Sequence, residues 1–121
     1  GQLSCLTSDH TLIQEMVDMG DFVSLEEAQL AGVPPNVLTR AFGAEPDVLA
    51  DLAESDVAVG DLYLFCSDGL TAMLSDQEIN GVLQQPVGDL MEQVDELIDL
   101  ACERGGIDNI SVILARVTGT E

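Results

Sequence analysis

The sequence has almost no positive charge. Its 121 residues include three arginines and no lysine against 23 acidic residues, which gives a formal net charge of −20 at pH 7. Three scattered cations cannot neutralise a run of phosphates, so the composition argues against nucleic-acid binding and against an anionic membrane surface. The same charge is typical of a soluble surface, and it also fits an acidic pocket that binds cations.

Other residue types are scarce as well. Tryptophan is absent and aromatic residues make up 3% of the chain, so any core must be aliphatic. No apolar run reaches the roughly 18–20 residues that a bilayer crossing requires. His10 is the one histidine, which excludes a multi-histidine zinc or iron site within this sequence. Cys5, Cys66 and Cys102 are odd in number and far apart, which predicts buried free thiols in a reducing cytoplasm rather than a disulfide framework.

The length predicts one domain or part of one. Hydrophobic residues make up 46% of the sequence, which is enough for a core and too many for a disordered acidic tail. The sequence begins Gly1-Gln2-Leu3, with no methionine and no basic segment of a signal peptide. We interpret it as the middle of a longer protein or as a trimmed form of one.

Helical periodicity and capping residues predict four helices. The first carries apolar residues at 12–17 and ends at Gly20, and Ser24 opens the second with a capping box. A second capping box at Ser75 opens a helix to about residue 84. Asp89 caps the longest helix, which Gly105-Gly106 ends.

Two apolar runs, at 62–66 and 110–117, predict strands. Because all five residues of the first run are apolar, we expect that strand to be buried on both faces. Residues 3–6 form a weaker short strand in this interpretation, and 47–58 a strand with a bend. The order of helices and strands favours an α+β fold with an antiparallel sheet.

Two aspartates stand out by position. Asp68 follows the first apolar strand, with Gly69 beside it, and Asp108 precedes the last strand. If these strands pair antiparallel, both carboxylates lie at the same edge of the sheet, where a cation would relieve their repulsion. Their oxygens suit Mg²⁺, Mn²⁺ or Ca²⁺. The alternative is that both are ordinary turn residues. Asp9 is a third candidate, with helix capping as its alternative role.

Five stretches together resemble the C-terminal half of the bacterial metal-dependent Ser/Thr protein phosphatases, the PPM family. They are LTSDHTLIQEMVDMG (6–20), SLEEA (24–28), NVLTRAFG (36–43), GDLYLFCSDGLTAMLSDQEI (60–79) and ACERGGIDNISVILARV (101–117). The resemblance implies that residues 1–121 supply the second half of a four-layer α-β-β-α sandwich of antiparallel sheets. Residues 20–36 would form a flap-like segment beside the active site.

The resemblance also implies a site and an activity. Asp68 and Asp108 match the ligands of a centre of two Mn²⁺ or Mg²⁺ ions, and Asp9 matches a ligand of a third ion. Asn109 and Gly69 would support these ligands. A metal-activated water would hydrolyse phosphoserine or phosphothreonine in a protein substrate of a cognate Ser/Thr kinase pathway. The alternatives are a non-catalytic PPM-like module that binds a phosphoprotein or a regulator, and an acidic metal-binding domain unrelated to phosphatases.

Two departures from the family pattern matter. The upstream motifs that supply further metal ligands and a phosphate-binding arginine are absent from this sequence, so residues 1–121 alone should be inactive without the upstream half of the domain. Many family members also carry an aspartate four residues after the one matched by Asp68, where this sequence has Ala72. A third-metal site would therefore bind its ion weakly.

Overall fold

The computed structural model describes residues 2–41, 43, 46–85 and 89–119, so Phe42 of the quoted stretch 36–43 lies outside the described residues. The elements are α1 (Leu12–Asp18), α2 (Leu25–Leu30), β1 (Leu62–Cys66), α3 (Asp68–Thr71), α4 (Asp76–Leu83), α5 (Leu90–Glu103) and β2 (Val112–Arg116). The predicted α+β class with an antiparallel sheet is confirmed. The chain divides into an N-terminal unit, Ser4–Glu54, and a sheet unit made of Gly1–Leu3 with Ser55–Glu121.

Among its described residues, the sheet unit contains one antiparallel pair of strands, in which Leu62 lies opposite Arg116 and Cys66 opposite Val112. Leu64 and Val112 pack from the sheet against a buried cluster of aliphatic side chains. That cluster consists of Leu70, Leu74, Ile79, Val82, Leu97 and Ala101. The core is therefore aliphatic, as the scarcity of aromatic residues predicts, and the helices cover one face of the sheet.

The prediction that β1 is buried on both faces is wrong for this chain. Phe65 is 57% exposed, and Ile113, its partner across the ladder, is 64% exposed. The five apolar residues do form a strand, but α3, α4 and α5 of the same unit pack against its other face, the face of Leu64 and Val112. A strand of consecutive apolar residues is buried on both faces only when helices or a second sheet cover each face.

Local capping explains where the helices begin. Ser75 and Glu78 form the predicted capping box of α4, and the Asp89 side chain accepts from the Glu92 N–H at the start of α5. Ser24 caps α2 as predicted, although the Glu27 carboxylate accepts from the N–H of Val23 rather than from that of Ser24. None of the described helices has the length and apolar composition needed to cross a membrane.

In the N-terminal unit, α1 and α2 pack together, and hydrogen bonds tie α1 to the segment 37–39. The N–H of Leu12 donates to the Val37 carbonyl and that of Thr39 to the His10 carbonyl, each at 2.9 Å. The strands predicted at 3–6 and 47–58 do not form, because alternating hydrophobicity does not supply a partner strand. The prediction of buried thiols is also wrong, since the side chains of Cys5, Cys66 and Cys102 are all exposed.

Candidate metal centre

The sheet brings the segments that carry Asp68 and Asp108 to one edge. β1 ends at Cys66 and β2 begins at Val112, and these two residues face each other across the ladder. The chain after β1 therefore meets the chain before β2, as antiparallel pairing of the two apolar runs requires. Asp68 and Asp108 are both exposed at this edge.

Gly69 lets the two segments touch through their main chains. A Cβ atom placed on this buried glycine would overlap the carbonyl oxygen of Asn109 and lie 2.9 Å from its carbonyl carbon. Because the obstacle is backbone rather than a flexible side chain, any other residue would push the segments apart. Gly69 thus has a steric role at this edge, between Asp68 and the Asn109 main chain.

A hydrogen bond orients the Asp108 carboxylate. Its Oδ1 atom accepts from the Asn109 main-chain N–H at 2.7 Å. The resemblance implied that Asn109 supports Asp108. The main-chain N–H of Asn109 does contact the Asp108 carboxylate. Asp68 begins α3, and its carbonyl accepts from the Ala72 N–H at 2.9 Å.

Ser67 is a contact residue that the sequence analysis missed. Its hydroxyl donates to the Asn109 carbonyl at 3.2 Å and accepts from the Ser111 N–H at 3.0 Å. The partners are 42 and 44 residues away in the chain, so no local pattern reveals them. The available signal was a hydroxyl residue directly between an apolar strand and the candidate ligand Asp68.

Asp9 belongs to the N-terminal unit, and its side chain is exposed. The alternative role of Asp9 as a helix cap is wrong, because Thr11 caps α1 through its hydroxyl.

The neighbouring His10 forms a side-chain hydrogen bond that the sequence did not reveal. Its Nε2 lies 2.7 Å from Asp51 Oδ2, while Arg40 Nη1 donates to Asp51 Oδ1 at 2.7 Å and to the Leu49 carbonyl at 2.9 Å. The hydrogen bond from His10, followed by that from Arg40, lowers the pKa of the Asp51 carboxyl. Arg40 therefore makes structural contacts within the N-terminal unit.

The donor set at the sheet edge suits a hard cation but is incomplete. Asp68 and Asp108 offer carboxylate oxygens, which Mg²⁺ and Mn²⁺ prefer. Across the part of the chain that the structure describes, no three His, Cys, Asp or Glu side chains are grouped so as to hold a metal ion. Two carboxylates at one edge do not make a complete coordination shell, so a metal site at this edge would need further ligands.

Comparison with known proteins gives one consistent group of relatives, although no protein-family model matches the chain. The protein phosphatase PhpP of Streptococcus pneumoniae is 35% identical over 109 residues, which is 90% of this chain and 43% of PhpP. The solved Ser/Thr phosphatase of S. agalactiae superposes with a TM-score of 0.83 at 41% identity, over 96% of this chain and 47% of that one. The chain is a homologue of the PPM-type Ser/Thr protein phosphatases.

The catalytic domain of the Ser/Thr phosphatase PstP, solved with two manganese ions, matches with a TM-score of 0.75 and 36% identity, over 98% of this chain and 47% of that domain. The resemblance stated from the five sequence stretches is confirmed. The chain spans about half the length of the relatives named here, and the matched segment lies in their C-terminal half.

Proposed function

We propose that this chain is the C-terminal half of a metal-dependent phosphatase domain that hydrolyses phosphoserine and phosphothreonine in proteins. The observation that carries the proposal is the meeting of the Asp68 and Asp108 segments at one sheet edge, in main-chain contact at Gly69. The homology to Ser/Thr phosphatases supports it, as does the manganese pair in the PstP domain.

In this proposal Asp68 and Asp108 hold Mn²⁺ or Mg²⁺ in a two-ion centre, with Asp9 serving a third ion. Two exposed carboxylates at one edge repel each other, and a cation between them removes that cost. The remaining ligands come from the part of the relatives' domain that this chain does not span. The Asn109 N–H holds one oxygen of Asp108, which leaves the other oxygen to bind a cation.

The chemistry assigns different tasks to the ions and to the chain. When bound, the ions supply a water of lowered pKa as the nucleophile and neutralise charge on the phosphoryl group. Asp68 and Asp108 anchor the ions at the sheet edge, and Gly69 keeps the two anchors close. Because this chain carries a net charge of −20, bound cations would also reverse the local repulsion of a phosphorylated substrate.

We further propose that the chain joins an upstream half to complete a four-layer α-β-β-α sandwich. The exposed apolar pair Phe65 and Ile113 supports this, because that face of the sheet would be covered by the second sheet. Residues 20–36 would form a flap beside the active site. The substrate would be a phosphoprotein of a Ser/Thr kinase pathway in the cytoplasm.

The decisive experiment measures hydrolysis of p-nitrophenyl phosphate and of a phosphothreonine peptide by the full-length protein. Asp68→Asn and Asp108→Asn should each abolish Mn²⁺-dependent turnover, because each removes a ligand charge while keeping nearly the same shape. Asp99→Asn, on the exposed side of α5, is the matched control and should retain turnover. Wild-type turnover in both site variants would contradict the proposal. Phosphopeptide binding without turnover in wild type would favour the non-catalytic alternative.

The isolated 121-residue chain provides a second test. It should show no phosphatase activity, because two carboxylates at the sheet edge do not complete a metal centre. It should also self-associate through the uncovered face of the sheet. Mn²⁺-dependent hydrolysis by the purified chain would contradict the division of the domain into two halves.

A further inference from the structure

Ser67 uses its side chain in an unusual way for its position. It is the residue that precedes α3, with extended backbone angles of φ −78° and ψ 165°, yet its hydroxyl makes no capping hydrogen bond to that helix. A serine at such a position normally accepts from a main-chain N–H of the first helical turn. Here the hydroxyl contacts the other segment, at Asn109 and Ser111.

The hydroxyl takes over a ladder bond that the Ser67 carbonyl would otherwise make. The Ser67 N–H donates to the Ser111 carbonyl at 3.0 Å, which extends the antiparallel ladder by one residue beyond Cys66 and Val112. The return bond, from the Ser111 N–H, goes to the Ser67 hydroxyl instead of the carbonyl. The carbonyl is left to accept from the Leu70 N–H at 3.2 Å, inside α3.

This exchange lets the chain leave the strand and enter the helix within one residue while remaining attached to the other strand. The same hydroxyl donates to the Asn109 carbonyl. The N–H of Asn109 in turn donates to the Asp108 carboxylate. A continuous series of contacts thus joins the residue before Asp68 to the carboxylate of Asp108.

We propose that Ser67 is a positioning residue that fixes the separation of Asp68 and Asp108 and so prepares the sheet edge for cations. The inference rests on the proposed function, since it assumes that both aspartates bind metal. Residues that orient metal ligands without contacting the metal typically change affinity by about 10–100-fold when they are removed. Ser67→Ala removes both side-chain hydrogen bonds and leaves both carboxylates in place.

The test is calorimetric Mn²⁺ binding to the full-length protein, without substrate, followed by kinetics at saturating Mn²⁺. Ser67→Ala should bind Mn²⁺ about tenfold more weakly and should need correspondingly more metal for half-maximal activity. Ser67→Thr, which keeps the hydroxyl, should restore affinity to near the wild-type value. KM for p-nitrophenyl phosphate at saturating metal should not change.

Ser75→Ala is the matched control, because the Ser75 hydroxyl also accepts from a main-chain N–H, that of Glu78, while capping α4. It should lower thermal stability and leave Mn²⁺ affinity unchanged. Hydrogen exchange without metal adds a readout that does not depend on binding. The Ser111 amide should exchange faster in Ser67→Ala than in Ser75→Ala. If Ser67→Ala does not fold, Ser67→Cys takes its place in these measurements.

The outcomes separate the two proposals. An active, Mn²⁺-binding wild type with unchanged affinity in Ser67→Ala would overturn the positioning role alone. Equal losses of affinity in Ser67→Ala and Ser75→Ala would also overturn it, because the effect would then follow stability. A wild-type protein that neither binds Mn²⁺ nor hydrolyses phosphate would overturn the proposed function and this inference with it.

Discussion

The two compact units of the chain are stabilised by different means. The sheet unit contains the six-residue aliphatic cluster, with exposed fractions of 0–2% for Leu70, Leu74, Ile79 and Leu97. In the N-terminal unit, the buried hydrophobic residues within the described ranges are Ile13 and Ala28. There, main-chain hydrogen bonds and the exposed side-chain contacts of Asp51 connect the segments locally. Apolar burial is the larger source of stability, so the sheet unit should be the more resistant to unfolding.

The largest effect should come from Leu97→Ala in α5. Leu97 is fully buried in the cluster, and its truncation should lower the free energy of unfolding by about 2–5 kcal/mol through lost burial and a residual cavity. Met91→Ala on the same helix is the control, because Met91 is 66% exposed and its truncation should cost less than about 0.5 kcal/mol. Urea unfolding of the full-length protein measures both values. Similar costs for the two variants would show that the cluster is not the main stabilising core.

Acid should weaken the sheet unit through Glu78. Hydrogen bonds from the Ser75 N–H and then from Arg104 lower the pKa of the Glu78 carboxyl, and the ion pair with Arg104 joins α4 to the end of α5. A lowered folded-state pKa stabilises the fold above the usual glutamate pKa of about 4.3, and this contribution is lost as the pH falls through the folded-state value.

Glu78→Gln tests this acid dependence. Urea midpoints at neutral and acidic pH should show a shallower acid-side decline in stability for Glu78→Gln than for wild type. Glu103→Gln, an exposed substitution of the same type in α5, is the comparison variant. Identical pH profiles for the two variants would contradict a special role for Glu78.

A smaller and local effect is expected for Asp51→Asn in the N-terminal unit. The carboxylate is 65% exposed, and exposed ion pairs contribute little to global stability. The variant should leave the urea midpoint unchanged but accelerate amide exchange around His10 and Leu49, which Asp51 and Arg40 hold together. Asp47→Asn is the control on the same segment. A loss of global stability like that of Leu97→Ala would place Asp51 in the core of its unit.

The sequence predicted the sheet unit better than the N-terminal unit, for a physical reason. The caps at Ser75 and Asp89 depend on residues three positions apart, and the strand pair depends on two apolar runs with sharp ends. The supposed strand at 47–58 required a partner that alternation alone does not reveal. Likewise, the apolar composition of β1 predicted that both of its faces are buried, but the face that carries Phe65 is exposed in this chain.

In the candidate site, too, the sequence predicted what depends on local pattern and missed what depends on distant partners. Asp68 and Asp108 were identified because each borders an apolar strand, and antiparallel pairing then brings their segments together. Ser67 and Asp51 were missed because their side-chain partners include residues 42 and 41 positions away. Contacts of that separation follow from the folded chain and not from any local spacing. Metal binding by the three aspartates remains a prediction.

The smallest expected effect is at Ala72, one helical turn past Asp68. The Ala72 N–H donates to the Asp68 carbonyl at 2.9 Å, so one helical turn separates the two residues, and Ala72 is exposed. An aspartate here would add a carboxylate near the cations that Asp68 is proposed to bind. Ala72→Asp should therefore lower the Mn²⁺ concentration needed for half-maximal activity and strengthen the weakest binding step in calorimetry.

Charge alone must be separated from position in that experiment. Gln77→Asp adds the same charge to the exposed surface of α4, and it should leave the metal dependence unchanged. The opposing effect is repulsion, because a further carboxylate beside Asp68 destabilises the edge when no cation is bound. At low Mn²⁺ the Ala72 variant should accordingly be less heat-stable than wild type, and at high Mn²⁺ this difference should disappear. A metal requirement that is unchanged or higher in Ala72→Asp would mean that position 72 does not face a cation.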